Sequence, residues 1–388
     1  MKAASLVTES FSRILLVKPS AVGDVVHTIP LLVKLRARYP QAQIDWFITP
    51  ENADLVRHHP ALSNVVLFNR RNFGSFGRNW RATAGPFQLL SQLRQARYDL
   101  VIDMHGQFRT AVFVRATGAP VRIGFDRPIK RLRTETTDHQ LHNVPLHGWA
   151  GARECSWLAY THRIPIPTLD VHAIDRYLWT GKLIGLDDTP PDLRVYLSAE
   201  AEERTTQLLA RNGLKEFAVL APGTMWETKH WPPERFAEIG RLLRERGLGI
   251  VLVGTPRDKD RCRIVVDLCP GAVDLSGQTN VGELAAIIKR AAVAVTNDSG
   301  SMHLAVALET PVVSIFGPTN PVHIGPYGRP ESVVRLDLPC SPCNYRRLSQ
   351  CPHDHACMQQ LTAPMVLERI DALALISPKI HQPQAKIA

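Results

Sequence analysis

Short apolar runs alternate with amphipathic stretches along this chain, and the alternation starts twice. Arg13–Val17 reads as a strand, 25–39 as a helix, and Gln43–Ile48, 65–68 and Leu100–Asp103 as further strands. Strand–helix alternation of this kind builds parallel α/β units, because a parallel neighbour needs a crossover long enough to hold a helix. From Arg122 to Trp149 the pattern lapses into polar and basic residues, and 173–184 reads as a helix. Asp187-Asp188-Thr189-Pro190-Pro191 has linker composition. The alternation then restarts. A helix over 199–212 ends at Gly213, and strands 217–220, 249–253, 293–296 and 312–316 are interleaved with helices 233–246, 281–291 and 301–308. This pattern predicts an α/β fold of two Rossmann-like domains facing a cleft, divided as 1–188 and 189–360, with 361–388 a terminal helix and tail crossing back to the first domain. In open parallel sheets ligands bind beyond the carboxyl ends of the strands, so the loops after each strand are where chemistry is expected.

The length of 388 residues suits two domains, and a 45% hydrophobic composition can bury a core in each. No apolar run reaches the roughly 18 residues of a membrane-spanning helix, and the early block ending at Lys18 is too short for a secretory signal. A cytoplasmic protein is expected. The formal charge of +10 points to an anionic partner, and its placement is uneven. Arg57 to Arg133 holds fourteen Lys or Arg against three acids, and Asn69 to Pro86 within it reads as a long, mobile basic loop. An anionic acceptor is one reading of this segment and a solvated face the other.

Three post-strand loops carry candidate chemistry. In the first, Asp24 follows Gly23 at the opening of a helix, where it acts either as a cap or as a general base at the floor of a site. The loop holds a single glycine, a poor dinucleotide fingerprint. In the second, Pro222-Gly223-Thr224 and Lys229 follow a strand and precede a helix, an arrangement that can cradle phosphate with N–H groups, a hydroxyl and a cation; otherwise Lys229 is a surface lysine. In the third, Asn297-Asp298-Ser299-Gly300 opens a helix and bares main-chain N–H groups to an anion, unless Asp298 or Ser299 merely caps it. Near the C-terminus Cys340, Cys343, Cys351 and Cys357 lie within eighteen residues, which fits either a metal or cluster site or reduced structural thiols.

Ser20 to Pro30, Pro222 to Pro232, Asn297 to His303 and Phe316 to Pro321 occur together in the order and spacing of the lipopolysaccharide heptosyltransferase family, glycosyltransferase family 9, which this chain resembles over about residues 13–328. The resemblance implies a glycosyltransferase B type fold and an inverting transfer of heptose from ADP-heptose to the lipopolysaccharide inner core, without metal or other cofactor. It puts Asp24 at the catalytic base position, Thr224 and Lys229 at donor-phosphate positions, and Asp298, Ser299, Gly300 and His303 in the donor-binding loop. Some members carry a second hydroxyl residue after Thr224, where this chain has Met225. Arg127, Lys130, Arg131 and Arg133 are the basic residues clustered tightly enough to bind an acidic acceptor, at the anionic inner face of the inner membrane. Two other functions remain open: a family 9 transferase using another nucleotide sugar, and a basic nucleic-acid-binding protein, against which stands the absence of any recognised nucleic-acid motif.

Overall fold

The computed structural model describes residues 6–69, 80–129 and 149–376, with the side chains of 80–84 left out of account. The chain divides into two compact units, residues 1–199 with 322–324, and residues 200–321 with 325–388. The first break falls at Ala199, the start of a helix, and eleven residues beyond the predicted boundary at 188; residues 189–198 form no helix or strand of their own.

In the first unit the strands are β1 (Arg13–Val17), β2 (Gln43–Ile48), β3 (Asn64–Leu67), β4 (Leu100–Asp103), β5 (Val121–Phe125) and β6 (His162–Ile164), and the helices are α1 (Val22–Arg38), α2 (Trp80–Gln95), α3 (Phe108–Ala116), α4 (Ala173–Leu178) and α5 (Gly181–Ile184). The second unit follows with α6 (Ala199–Arg211), β7 (Phe217–Ala221), α7 (Pro233–Glu245), β8 (Gly249–Leu252), α8 (Lys259–Leu268), β9 (Val273–Asp274), α9 (Val281–Arg290), β10 (Val293–Asn297), α10 (Gly300–Ala307) and β11 (Val312–Ile315). The chain closes with the short α11 (Pro321–Ile324), whose residues 322–324 belong to the first unit, and with β12 (Val333–Val334), α12 (Ala356–Gln359) and α13 (Ala363–Ala372) of the second.

Both sheets are parallel throughout, in the orders β3-β2-β1-β4-β5-β6 and β12-β11-β10-β7-β8-β9. Read from its own first strand, each is the doubly wound order 3-2-1-4-5-6. The order reverses between β1 and β4 in one unit and between β7 and β10 in the other, so the loops after those four strands open at the switch points. The central strands are apolar on both faces, as helices on both sides demand: Ile14, Leu16, Leu100, Ile102, Val219, Leu220, Val293 and Val295 are fully buried.

Three expectations are corrected. Trp80 to Pro86 was expected in a loop but opens α2, whose Leu89 and Leu93 are buried one turn apart; the apolar pair outweighs the Gly85-Pro86 break, and the remainder of the loop, 70–79, lies outside the described residues. The stretch from Arg122, where the alternation lapses, opens inside β5, whose Ile123, Gly124 and Phe125 are buried; residues 130–148 of the polar run lie outside the described residues. The terminal helix α13 packs within the second unit, where Ala363, Val366 and Ile370 are buried against α7, β11 and β12 and Trp231 donates its indole N–H to the carbonyl of Leu361 at 2.9 Å; the tail from 377 lies outside the described residues.

Candidate active site

The loop after β1 is held by its neighbours before any functional role is considered. The carbonyl of Pro19 accepts from the Thr49 and Asn52 side chains, each at 3.2 Å, and that of Lys18 accepts from the Trp46 indole at 3.1 Å. The chain turns at Ala21 and α1 begins, which puts Asp24 in the first helical turn. One carboxylate oxygen of Asp24 accepts from the Ala21 N–H at a long 3.4 Å, a weak cap. The other accepts from the Tyr177 hydroxyl at 3.2 Å and lies 3.6 Å from the Lys18 ammonium. Lys18 in turn donates to Tyr177 Oη at 2.9 Å and to the Met104 carbonyl at 3.0 Å. The side chain of Lys18 is 5% exposed and that of Asp24 is 42% exposed, so the cation is sequestered while the carboxylate faces outward.

Burial pushes the Asp24 carboxyl up, but the Lys18 charge, with that of Arg176 behind it, outweighs this and holds it below the usual carboxylate range. Burial likewise pulls Lys18 down, and the attraction of Asp24 and Tyr177 overcomes it. Asp24 is therefore ionised at neutral pH. The end of β4 supplies the backing. Asp103, fully buried, accepts from the main-chain N–H groups of His105 and Gly106, the Thr110 hydroxyl and the Tyr160 hydroxyl at 2.8 to 3.2 Å, and so fixes the loop that carries Met104 and His105. Burial, reinforced by the Lys18 charge, drops the His105 imidazole to about 3, so it is neutral.

In the second unit β7 and β10 bring the other two loops together. Gly223 is required where it stands: a Cβ there would meet the Asp258 carboxylate at 2.3 to 2.5 Å. Asn297, fully buried, ties the two loops by donating to the Pro222 carbonyl at 2.9 Å and accepting from the Trp231 N–H at 3.2 Å. Thr224 donates to the Asp298 carbonyl at 3.0 Å. Lys229 is not a surface lysine: it is 8% exposed, pairs with Asp298 at 2.6 Å and lies 4.3 Å from the Trp226 ring centre. The same Asp298 oxygen accepts from Thr319 at 2.6 Å. Ser299 occupies the N-cap position of α10 but makes no side-chain cap bond, and its hydroxyl is buried without a partner among the described residues. Gly300 then opens the helix, and His303 is buried one turn in. A spare hydroxyl and bare N–H groups at a positive helix end, beside a lysine, form a site for an anion.

The structure thus gathers Thr224, Lys229, Asp298, Ser299, Gly300 and His303 in one unit and Asp24 in the other. Arg127 is exposed just after β5, while Lys130, Arg131 and Arg133 lie outside the described residues. Lys18, Tyr177, Asp103 and Arg176 were not anticipated. The four cysteines are free thiols, and burial pushes Cys357 up to about 12. Among the described residues no group of three or more His, Cys, Asp or Glu is arranged to hold a metal ion. The segment they occupy also buttresses the Lys229 turn: Tyr345 and Arg346 carbonyls accept from Thr228 and Glu227, and His355 meets the Thr228 carbonyl.

Comparison with known proteins adds the lineage. The family described as Glycosyltransferase family 9 (heptosyltransferase) matches residues 87–141 and 136–353. The chain is similar to lipopolysaccharide heptosyltransferase 1 of Pseudomonas aeruginosa, 30% identical over 341 residues that cover 85% of this chain and 86% of the relative. Among solved structures, Escherichia coli heptosyltransferase WaaC with ADP is 26% identical, with a TM-score of 0.69 over 93% of this chain and 99% of that one. A family 9 glycosyltransferase from Veillonella parvula shares the fold with a TM-score of 0.75 over 97% of this chain and 100% of its own, at 20% identity. The architecture is the two-domain α/β fold of the glycosyltransferase B type.

Proposed function

The chain belongs to glycosyltransferase family 9, the heptosyltransferases, and from that premise we propose that it moves heptose from ADP-heptose to the inner core of lipopolysaccharide, inverting the anomeric carbon and using no metal ion. The observation that carries this reading is the second unit's anion site, where Ser299 offers an unpartnered buried hydroxyl at the start of α10 next to the Lys229–Asp298 pair. In the proposed reaction the acceptor hydroxyl attacks the anomeric carbon as its proton passes to Asp24. The bond from that carbon to the β-phosphate oxygen breaks, and ADP leaves with the electron pair. Charge growing on the diphosphate is met by Lys229, the Thr224 and Ser299 hydroxyls and the N–H groups at Gly300, which are fixed dipoles and a cation already in place. Arg127 with Lys130, Arg131 and Arg133 is proposed to draw in the acidic acceptor by charge, with no role for nucleic acid. The protein is proposed to work in the cytoplasm at an anionic membrane face; among the described residues no helix is long and apolar enough to cross a membrane.

The test is an assay of the purified chain with a panel of nucleotide sugars and a truncated lipopolysaccharide acceptor. ADP-heptose is expected to be the donor consumed, with activity unchanged by excess EDTA. Preference for another sugar, or activity lost to EDTA and restored by magnesium, overturns the corresponding part. Asp24→Asn is expected to lower turnover by about 10² to 10⁴ with donor affinity kept. Asn caps a helix as well as Asp, so near-normal turnover removes Asp24 from the chemistry.

A further inference from the structure

Arg176, on α4, is 7% exposed, and its Nε is buried with no hydrogen-bond partner. Its guanidinium carbon lies 4.2 Å from the Trp149 ring centre and 5.7 Å from that of Tyr177. Among the described residues no carboxylate forms an ion pair with it. The nearby Asp24 feels its charge but spends its own contacts on Tyr177, Ala21 and Lys18. Lys18 and Arg176 thus set two cations around the one carboxylate of Asp24. Aromatic faces compensate a buried guanidinium only in part, and a buried charge without a counterion is costly. The fork of N–H donors that a guanidinium presents matches a pair of anionic oxygens. Arg176 precedes Tyr177, whose hydroxyl holds Asp24, so an oxyanion seated on Arg176 lies one residue along the helix from the group that positions the base.

We propose that Arg176 is an acceptor-recognition residue that binds an oxyanion, carboxylate or phosphate, on the sugar whose hydroxyl meets Asp24. The inference rests on the reading of the first unit as the acceptor side, and it goes further by assigning Arg176 the contact with one anionic group of that acceptor. Anchoring the anion and the hydroxyl at two points turns the attacking oxygen toward Asp24 and excludes neutral sugars that lack the second handle.

The experiment compares wild type, Arg176→Met and Arg176→Lys on three truncated core acceptors: one intact, one with its carboxyl groups reduced, and one dephosphorylated. Arg176→Met is expected to raise KM for the intact acceptor by about 10- to 100-fold, the range for losing hydrogen bonds to a charged group. KM for ADP-heptose is expected to stay put. Lysine keeps the charge without the fork and is expected to fall between. One modified acceptor should behave alike on wild type and Arg176→Met; the carboxyl-reduced one doing so identifies a carboxylate, the dephosphorylated one a phosphate. An equal KM increase on all three acceptors, or none on any, overturns the proposal. Calorimetric titration of the same acceptors into donor-free protein reads the contact without transfer. If wild type transfers no heptose yet binds the anionic acceptor more tightly than Arg176→Met does, the reaction assigned above fails and this site stands. Thermal melts of both variants separate lost binding from lost fold.

Discussion

Lys229 and Asp298 form a buried pair in which each partner answers for the desolvation of the other. Removing the lysine strands a carboxylate that, among the described residues, only the Thr319 side chain then supports. Lys229→Met is thus expected to lower the stability of the second unit by about 3 kcal/mol or more and to weaken ADP binding, whereas Ser299→Ala deletes a hydroxyl that has no internal partner. The serine variant should keep its melting temperature and lose ADP affinity by about 1.5 to 3 kcal/mol in calorimetry, the worth of a hydrogen bond to a charged group. Unchanged ADP affinity in Ser299→Ala would take that hydroxyl out of the site. Asp24, Lys229 and Asp298 were legible because each sits between the end of an apolar run and the body of the next helix, a position where the fold class itself directs attention. Their partners were not. Tyr177 reaches Asp24 across 153 residues of sequence, and Lys18 looked like the polar end of a strand until the β1–β4 register, Val17 beside Asp103, carried it to the Met104 carbonyl.

At the scale of elements, the strands could be read because each is a four- to six-residue apolar run between turn residues, as in β1, β2, β4, β7 and β8. Elements with one thin apolar face escaped. Helix α8 buries only Cys262 and Val265 behind a charged exterior, and β9 and β12 are two residues each. Helix α13 was foreseen as a helix but not in its place, since nothing in its sequence says which apolar surface it covers. Val366→Ala is expected to cost about 2 kcal/mol by opening a cavity against α7 and β11, and the loss should register in the second unit's unfolding transition. A loss confined to the first unit's transition would contradict the packing. Helix α3 presents a different face. Phe108 and Val112 are exposed one turn apart, 61% and 43%, and Leu158, 72% exposed, lies on the helical turn packed against it, with Arg109 alongside. Apolar side chains flanked by arginine suit the proposed membrane contact. Phe108→Ser with Leu158→Ser is expected to reduce cosedimentation with anionic vesicles severalfold while transfer to a soluble acceptor is kept; undiminished cosedimentation would move the contact elsewhere.

Across the whole molecule the two units close separate cores, and acid acts on the first through its histidines. The first unit buries histidines that it keeps neutral. Burial lowers His59, packed on Tyr196 with its Nδ1 accepting from the Ala61 N–H, to about 4, with Asp192 and Arg194 the charged groups facing it; His105 lies at about 3. An unfolded chain restores both to an ordinary histidine value near 6.5. Above that pH neither state binds the proton and the contribution to stability is complete. As pH falls below it, the unfolded chain takes up protons that the folded unit refuses, so stability drops until the folded values are reached. Each such histidine contributes at most about 1.4 kcal/mol per pH unit to that slope. Denaturant melts between pH 7 and 4 should therefore show the first unit losing stability steeply through this window. His59→Asn keeps an acceptor for the Ala61 N–H but cannot titrate, and it is expected to flatten the slope by up to that amount while leaving the second unit's transition where it was. A slope identical in wild type and His59→Asn would mean that His59 takes up its proton in the folded state as readily as in the unfolded one, and that the burial seen here does not govern its charge.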